Sequence, residues 1–383
     1  MKLVFASNYY NHHQDPLCQA LNHGTEEFHF IATTEMRQER RDLGYGLDEI
    51  PDYVCCAHKS EAEMAGCKKL IQEADALIAG AAPEELIASR IHSGKLTFRY
   101  TERILKKDIS PLNHFLRRII LNLRNPRRKS VYLLCAGAYT AADYAGFGLF
   151  RNRAYRWGYF PETKYCESID VLMSRKMPMS ILWAGRFLDW KHPEHALLVA
   201  KMLKENGYSF TMNLIGTGVL EAELKRMIGD YGLNDCVHLL GAMKPAQVRQ
   251  HMEQSEIFLF TSDRQEGWGA VLNESMNSGC AVVASHAIGA VPFLLENETN
   301  GLVYKSCDID MLCEKVAFLL EHPEQRAALG RCAYETITTE WNAETAAERL
   351  CNLASHILAG EDAPELYKTG PCSRAPVISD DWM

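Results

Sequence analysis

The chain has 383 residues, of which 47% are hydrophobic and 23% are charged, with 25 Gly, 14 Pro and a net charge of −8. These values are typical of a globular protein of about two domains and exclude a disordered or fibrous chain. No apolar run reaches the roughly 20 residues that a membrane helix needs, and the negative charge argues against general nucleic-acid binding.

The start of the chain predicts its location, and that location in turn decides how the cysteines are interpreted. Residues 1–6 run directly into a strand pattern and lack the organisation of a signal peptide, which predicts a cytoplasmic protein. The 13 cysteines are scattered and form no Cys-x-x-Cys pair. We therefore expect reduced, buried thiols rather than disulfides or a zinc site.

Strand and helix patterns alternate along the chain, which predicts an α/β fold with mostly parallel, doubly wound sheets. In the first half, strands are predicted at 2–7, 28–33, 76–79 and 131–136, and helices at 14–23 and 59–73. In the second half, strands are predicted at 180–183, 211–215, 237–239, 257–260 and 281–284, and helices at 195–206, 221–231, 245–255, 270–277 and 310–321. Residues 161–178 are interpreted as a linker, and the proline-broken end as an extended or frayed tail.

One segment of the first half is strongly basic. Residues 95–129 hold eleven Lys or Arg against Glu102 and Asp108, a local charge of +9, so the rest of the chain carries −17. Within it, the apolar residues of 112–123 have helical spacing, with Arg117, Arg118 and Arg124 alongside. Such a helix can lie on an anionic membrane surface, or it can face the core with a solvated basic side.

The most informative motif joins a loop to a helix in the second half. It runs Glu266-Gly-Trp-Gly-Ala-Val-Leu-Asn-Glu274 and follows the predicted strand 257–260. Free N–H groups at 267–270 would form a helix N-terminus, where an anion can bind beside a carboxylate that holds hydroxyls. The alternative is a capping glutamate and an unrelated surface glutamate, and the spacing alone does not separate the two.

Two further motifs also follow strands. Gly185-Arg186 comes after the strand 180–183 with Lys191 close behind, and these cations can bind phosphate oxygens. Gly216-Thr217-Gly218 follows the strand 211–215, but Glu221 stands where a dinucleotide fingerprint has its third glycine. Taken singly, the first motif is better explained as a pair of surface cations, and the second is equally well explained as an ordinary strand-to-helix turn.

Along the chain the motifs come in the order Gly185-Arg186 with Lys191, Gly216-Thr217-Gly218, Glu266 with Glu274, and then Asn300-Gly301-Leu302-Val303. In this combination they resemble the retaining glycosyltransferases of family 4 (group 1) that build bacterial surface polysaccharides. The resemblance covers residues 180–348. It implies the GT-B fold, with two Rossmann-like, doubly wound domains that face each other across a cleft. It further implies an acceptor-binding domain at 1–165, a nucleotide-sugar-binding domain at 166–340, a helix at 341–359 that returns to the first domain, and a tail at 360–383.

The resemblance also implies roles for individual residues. Arg186 and Lys191 would bind the donor diphosphate, and Glu266 would hold sugar hydroxyls; these three are the candidate catalytic residues. Glu274 would accept hydrogen bonds from the ribose, and residues 238–242 would meet the base through backbone atoms. The remaining donor-binding candidates are Gly216, Gly218, Gly267, Trp268, Gly269 and Ala270.

The loop after the first strand departs from the family pattern. Many members have a Gly-Gly pair there, whereas this chain has Asn8-Tyr9-Tyr10-Asn11-His12-His13. Asn11, His12 and His13 are therefore candidates for contact with the acceptor or the cleft, and simple solvation of the loop is the alternative.

No metal or cofactor is expected. Asp308-Ile309-Asp310 has the Asp-x-Asp form of metal-dependent glycosyltransferases, but it directly precedes the helical run 311–320. Asp is a natural residue at a helix N-cap and first turn. We therefore interpret the pair as a cap, and the nucleotide sugar as a substrate.

The expected activity is retaining transfer of a hexose-type sugar from a nucleoside diphosphate to a glycan or lipid-linked acceptor, in capsule or lipopolysaccharide synthesis. Because such acceptors are often lipid-linked, the basic segment 95–129 is expected to attach the protein peripherally to the inner face of the cell membrane. Two alternatives stay open: a nucleotide-sugar epimerase of the same fold, and a non-catalytic subunit that binds nucleotide sugars.

Overall fold

A computed structural model describes residues 1–42, 44–47, 49–107, 109–126 and 130–383, with the side chains of Glu39 and Asp42 left out. The chain divides into two compact units. The first combines Met1–Glu162 with Trp341–Trp382, and the second is Thr163–Glu340. The sequence analysis placed the junctions after residues 165 and 340.

The first unit contains a parallel sheet in the order β3-β2-β1-β4-β5-β6-β7. Its strands are β1 (Lys2–Ser7), β2 (Glu27–Ala32), β3 (Val54–Cys56), β4 (Ala76–Ala79), β5 (Thr97–Glu102), β6 (Val131–Ala136) and β7 (Ala154–Trp157). Its helices in the first segment are α1 (Asp15–Gly24), α2 (Gln38–Asp42), α3 (Glu61–Glu73), α4 (Glu84–Ser93), α5 (Pro111–Arg124) and α6 (Thr140–Gly146). β4 and β6 are buried along their whole lengths, as expected of apolar strands in the middle of a parallel sheet.

The second unit contains a parallel sheet in the order β10-β9-β8-β11-β12-β13. Its strands are β8 (Met177–Ala184), β9 (Thr211–Ile215), β10 (Val237–Gly241), β11 (Ser255–Phe260), β12 (Ala281–Ser285) and β13 (Leu302–Tyr304). Its helices are α7 (Ile169–Ser174), α8 (Pro193–Glu205), α9 (Glu221–Asp230), α10 (Pro245–Gln254), α11 (Val271–Asn277), α12 (Val291–Leu294), α13 (Ile309–Glu321) and α14 (Pro323–Thr339). The predicted linker therefore contains α7 and the start of β8.

Helix α5 is turned with its apolar face outward. The exposed fractions of six apolar side chains lie between 44% and 70%: Leu112, Phe115, Leu116, Ile119, Ile120 and Leu123. Its polar side faces the protein, where His114 stacks on Phe147 at 4.4 Å and Arg117 donates to the carbonyl of Ile104 at 3.0 Å. The alternative of a core-facing helix is therefore wrong. Asp108, Arg127, Arg128 and Lys129 of the basic segment lie outside the described residues.

The end of the chain belongs to the first unit. Helix α15 (Ala343–Leu358) packs on α1. The tail after it is extended, but it is not frayed: Arg103 pairs with Asp380 at 2.9 Å, and the Arg156 N–H donates to the Ser373 carbonyl at 2.8 Å. Three prolines keep the tail out of regular structure, yet burial and hydrogen bonds fix it against the sheet.

Two predictions from composition were also checked by the structure. None of the helices in the described ranges combines the length and the apolar character that crossing a membrane would take. All 13 cysteines are free thiols, as predicted, but only seven are buried: Cys307 is exposed and five others are half-buried.

Candidate functional site

The candidate residues of the second unit gather where the strand order reverses. The chain runs outward from β8 to β9 and β10, then returns to place β11 on the other side of β8. In open parallel sheets, ligands bind beyond the carboxyl ends of the strands at such a reversal. The loop after β8 carries Arg186 and Lys191, and the loop after β11 carries Glu266.

Lys191 and Glu266 meet directly at this point. The Lys191 Nζ donates to Glu266 Oε2 at 2.5 Å, and Ser262 Oγ donates to the same oxygen at 3.1 Å. Both charged side chains are mostly buried, with 14% and 12% of their surfaces exposed. Backbone hydrogen bonds hold the loops together, since the Asp263 N–H donates to the Trp190 carbonyl at 3.0 Å. The two residues lie 75 positions apart, and the fold assembles them into one pair.

The two glycine motifs pack against each other. A Cβ on Gly216, whose φ is +144°, would lie 1.8 Å from the Gly185 carbonyl oxygen, so no other residue fits there. The Phe187 N–H donates to the Thr217 carbonyl at 2.8 Å, and Gly218 lies against the Phe187 backbone. This contact fixes the course of the loop that carries Arg186. Arg186 itself is exposed, and its guanidinium bonds to none of the described residues.

The segment after Glu266 is held tightly. Gly269 has φ +93°, and a Cβ there would lie 2.4 Å from Phe260 Cζ. The Trp268 ring is fully buried and donates through Nε1 to Asn273 Oδ1 at 2.9 Å. Trp268 can therefore take part in binding only through its backbone. Ala270 is the N-cap of α11 and has no side-chain cap.

Glu274 lies in the first turn of α11 and is half-buried. Burial raises the pKa of its carboxyl, while the nearby charges of Arg249 and Lys164 act in the opposite direction. Within the described ranges, no side chain donates a hydrogen bond to this carboxylate. Arg249 is itself buried and bonds to Asn277, which also binds the backbone N–H of Lys164 at 2.7 Å. Glu274 thus has free acceptor positions beside two cations.

The side chains of His12 and His13 in the first unit are packed rather than simply solvated. The rings of His12 and His13 lie 3.9 Å apart, and both contact the Tyr45 ring. Burial and the neighbouring His12 and Arg40 lower the pKa of His13 to about 3. Asn11 Oδ1 accepts from the His13 N–H at 3.0 Å, so Asn11 shapes the turn that leads into α1. This loop follows β1, at the point where the order of the first sheet reverses.

The Asp-x-Asp motif is a helix cap, as predicted. Asp308 is the N-cap of α13, and its Oδ1 accepts from the Met311 N–H at 2.9 Å. Asp310 lies in the first turn of the same helix.

Three polar residues that support the site were not predicted from the sequence. Thr261 accepts from Trp183 Nε1 at 2.8 Å and donates to the carbonyl oxygens of Lys191 and His192. Ser262 binds Glu266, and Asp263 lies 3.6 Å from His192 Nε2. Their signal in the sequence is the polar run that directly follows the buried strand β11, Thr261-Ser262-Asp263.

Comparison with known proteins agrees with this arrangement. Residues 167–336 match the family described as "Glycosyl transferases group 1". The second unit is a group 1 glycosyltransferase domain. Over 207 residues the chain is 28% identical to the amylovoran biosynthesis glycosyltransferase AmsK of Erwinia amylovora, covering 53% of this chain and 50% of AmsK. It is 26% identical over 182 residues to the putative colanic acid biosynthesis glycosyltransferase WcaL of Escherichia coli, covering 46% and 45% of the two chains. The match thus spans about half the length of these relatives.

The fold of the whole chain is similar to that of a solved structure. The crystal structure of HepE from Anabaena in complex with UDP superposes with a TM-score of 0.69 at 16% identity, over 93% of this chain and all of HepE. With its two parallel sheets, the chain has the GT-B fold, as the sequence resemblance implied.

Proposed function

We propose that the protein is a retaining glycosyltransferase that moves a hexose-type sugar from a nucleoside diphosphate to a glycan or lipid-linked acceptor during surface polysaccharide synthesis. The observation that carries the proposal is the Lys191–Glu266 pair, 2.5 Å apart at the strand-order reversal of the group 1 domain. AmsK and WcaL, whose names refer to amylovoran and colanic acid synthesis, support the polysaccharide context. HepE, which binds UDP in its crystal structure, supports a nucleotide donor.

The pair suits departure of a diphosphate. Negative charge grows on the leaving group as the sugar gains oxocarbenium character, and cations already in place stabilise that charge. The Lys191 ammonium supplies one such charge, and the exposed Arg186 guanidinium can bind two phosphate oxygens at once. The positive charges of Lys191 and Arg186 are already part of the folded domain, so they need not move into place when the sugar–phosphate bond breaks.

Glu266 has a separate task in this proposal. Its Oε2 is occupied by Lys191 and Ser262, which leaves Oε1 to accept hydrogen bonds from sugar hydroxyls. The hydrogen bond to Lys191 would then fix the sugar relative to the diphosphate, and Glu274 would hold the ribose. The acceptor would attack the face from which the diphosphate leaves, so the anomeric configuration is kept. We assign no carboxylate as a covalent nucleophile, and we propose that the transfer needs no metal and no cofactor.

We assign the acceptor to the first unit, where Asn11, His12 and His13 lie in the loop at the reversal of the first sheet. Helix α5 of the same unit supports a lipid-linked acceptor, because its apolar face is exposed and Arg118 and Arg124 flank it. A basic helix with an outward apolar face has the chemistry of a segment that lies in an anionic membrane interface. The proposed location is therefore the inner face of the cell membrane.

Donor binding and turnover test the proposal together. Wild-type protein is screened against a panel of nucleoside diphosphate sugars by thermal shift, because a ligand of the folded state raises the melting temperature. Lys191→Ala should lose most of the shift given by the best donor. Lys204→Ala is the matched control, since Lys204 forms a 2.6 Å ion pair with Asp235 on an exposed surface of the same unit. Equal shifts in the two variants would refute the donor site.

The epimerase alternative is separated by leaving out the acceptor. An epimerase converts the nucleotide sugar on its own, whereas a transferase needs an acceptor to form product. A non-catalytic subunit would bind the donor and turn nothing over. The anomeric configuration of the transferred sugar, read by NMR, then tests retention.

A further inference from the structure

Two cysteines of the first unit come together where helix α3 packs against the edge strand β3. Cys55 lies in β3 and Cys67 lies in α3. The side chain of Cys55 packs against the apolar cluster that contains Cys67. Cys67 is 1% exposed, whereas Cys55 is half-buried. A small reagent can therefore reach Cys55 from solvent, and Cys67 lies on the inner side of the pair.

An imidazole and a carboxylate lie next to Cys55 on the neighbouring strand. Strand β2 pairs with β3 so that Ile31 stands beside Cys55. Since side chains alternate along a strand, His29 and Glu27 lie on the same face of the sheet as Ile31. The His29 Nδ1 lies 3.9 Å from the Cys55 Sγ, and the His29 Nε2 lies 3.1 Å from the Glu27 Oε1. The other oxygen of Glu27 pairs with Lys2 Nζ at 2.7 Å, which helps to hold the carboxylate in place.

The carboxylate selects the tautomer of His29. A neutral imidazole donates a hydrogen bond from one ring nitrogen and accepts at the other. When the Nε2–H donates to Glu27, the lone pair of Nδ1 faces the Cys55 thiol and can take its proton. A thiol, an imidazole and a carboxylate in this order form the arrangement that activates a cysteine as a nucleophile.

The groups around Cys55 also favour its thiolate. The Cys67 thiol lies within hydrogen-bonding reach and lowers the pKa of Cys55, and the His29 ring acts in the same direction. Burial and the carboxylate of Glu63 oppose this shift without reversing it. The pKa of Cys67 is raised, first by Cys55 and then by burial, so the proton stays on the inner thiol. Because the thiolate is the reactive form of cysteine, Cys55 is the reactive member of the pair.

We propose that Cys55 and Cys67 form a modification site, a dithiol that a hydroperoxide oxidises to a disulfide. The Cys55 sulfur attacks one peroxide oxygen, the O–O bond breaks, and the leaving oxygen takes the thiol proton to become water or an alcohol. The Cys67 sulfur then attacks the sulfenic acid on Cys55, the S–O bond breaks, and the hydroxyl leaves as water with the Cys67 proton. The two thiols lose two electrons, and the peroxide gains them.

The disulfide is a product of oxidation rather than a bond of the resting fold, because all 13 thiols are reduced in the structure. Cytosolic disulfides are usually of this transient kind. The proposal does not depend on the proposed sugar transfer, because none of its residues belongs to the donor site.

Peptide mapping after oxidation tests the proposal. Reduced full-length protein is treated with one equivalent of hydrogen peroxide, the remaining thiols are alkylated, and the tryptic peptides are analysed by mass spectrometry. Trypsin cuts after Lys59, so Cys55 and Cys67 fall in different peptides that only a disulfide would link. We expect this linked pair as the main product. Cys67→Ser should stop at the sulfenic acid of Cys55, which dimedone traps.

The matched control is Cys56→Ser. Cys56 is the next residue of β3 and is also half-buried, but its side chain lies on the opposite face of the sheet. The linked peptides should form in Cys56→Ser as in the wild type and should be lost in Cys55→Ser. His29→Gln removes the base and should slow the oxidation roughly tenfold or more at pH 7.

A second measurement needs no variant. Iodoacetamide at limiting concentration should modify Cys55 of the wild type before the more exposed Cys307. Earlier labelling of Cys307, linked peptides that persist in Cys55→Ser, or an unchanged oxidation rate in His29→Gln would each overturn the proposal.

Discussion

The carboxylate of Glu274 has acceptor positions to which a polar ligand can donate hydrogen bonds. It is half-buried near the charges of Arg249 and Lys164, and no described side chain donates to it. Glu274→Ala should weaken binding of the nucleoside diphosphate by about 1.5–3 kcal/mol, because hydrogen bonds to a charged acceptor are lost. Calorimetric titration with the diphosphate measures the change. Glu223→Ala, on the exposed side of α9, should bind as the wild type does, and an unchanged dissociation constant in Glu274→Ala would remove this residue from the site.

His13 makes the stability of the protein depend on pH. Its pKa is lowered to about 3 by burial, by His12 and by Arg40, whereas a histidine in the unfolded chain has a pKa near 6.5. Below pH 6.5 the His13 imidazole therefore binds a proton in the unfolded state but not in the folded state. The free energy of unfolding should fall by about 1–2 kcal/mol from this residue between pH 7 and pH 5, and stay level above pH 7.

Urea unfolding at a series of pH values checks this expectation. His13→Gln should flatten the acid side of the profile, whereas His23→Gln, which alters an exposed histidine, should not. Equal slopes in the wild type and His13→Gln would contradict it.

At the scale of the element, α5 presents a surface that water solvates poorly. Six apolar side chains on one face are 44–70% exposed, and basic residues lie beside them. We expect binding to anionic vesicles that weakens with salt, since each basic residue near such a surface contributes about 1 kcal/mol. Replacing Arg117, Arg118, Arg124, Arg127 and Arg128 by Ser should abolish it in a co-sedimentation assay.

The apolar face can be tested apart from the charge. The triple variant Leu116→Ser, Ile119→Ser, Leu123→Ser should bind the same vesicles more weakly at low salt, because the apolar contacts with the interface are lost. Val219→Ser alters another exposed apolar residue and should change nothing. Vesicle binding by the triple variant at wild-type strength would show that α5 does not enter the interface.

The strands and helices were largely predictable, while their contacts were not. β1, β4, β6 and β9 begin and end at the predicted residues, because short apolar runs between polar turns leave little choice. The strands β3, β5, β7 and β13 were missed; β3 and β13 have only three residues each, too few to show a periodicity. The outward orientation of α5 was also not predictable, because periodicity shows that a helix has an apolar face but does not show which way that face points.

The same distinction applies to the site. The motifs identified Lys191 and Glu266 separately, yet only the strand order brings the loops after β8 and β11 together.

At the scale of the whole molecule, the end of the chain is part of the first unit's core. Tyr155 OH donates to the Pro364 carbonyl at 3.0 Å, and Cys372 and Ser373 are almost fully buried. Truncation after Ala359 should therefore lower the melting temperature of the first unit, because it uncovers β7 and leaves Arg103 without Asp380. Differential scanning calorimetry should show one transition moved down and the transition of the second unit unchanged. A wild-type thermogram would show that the tail adds nothing to stability.

The discontinuous first unit has a consequence for synthesis. A ribosome completes Thr163–Glu340 before it makes α15, so the second unit has its whole sequence first. The face of α1 that α15 covers stays exposed until α15 leaves the exit tunnel. The nascent chain thus finishes its second unit before its first, and an apolar surface near its N-terminus is open to chaperones throughout that interval.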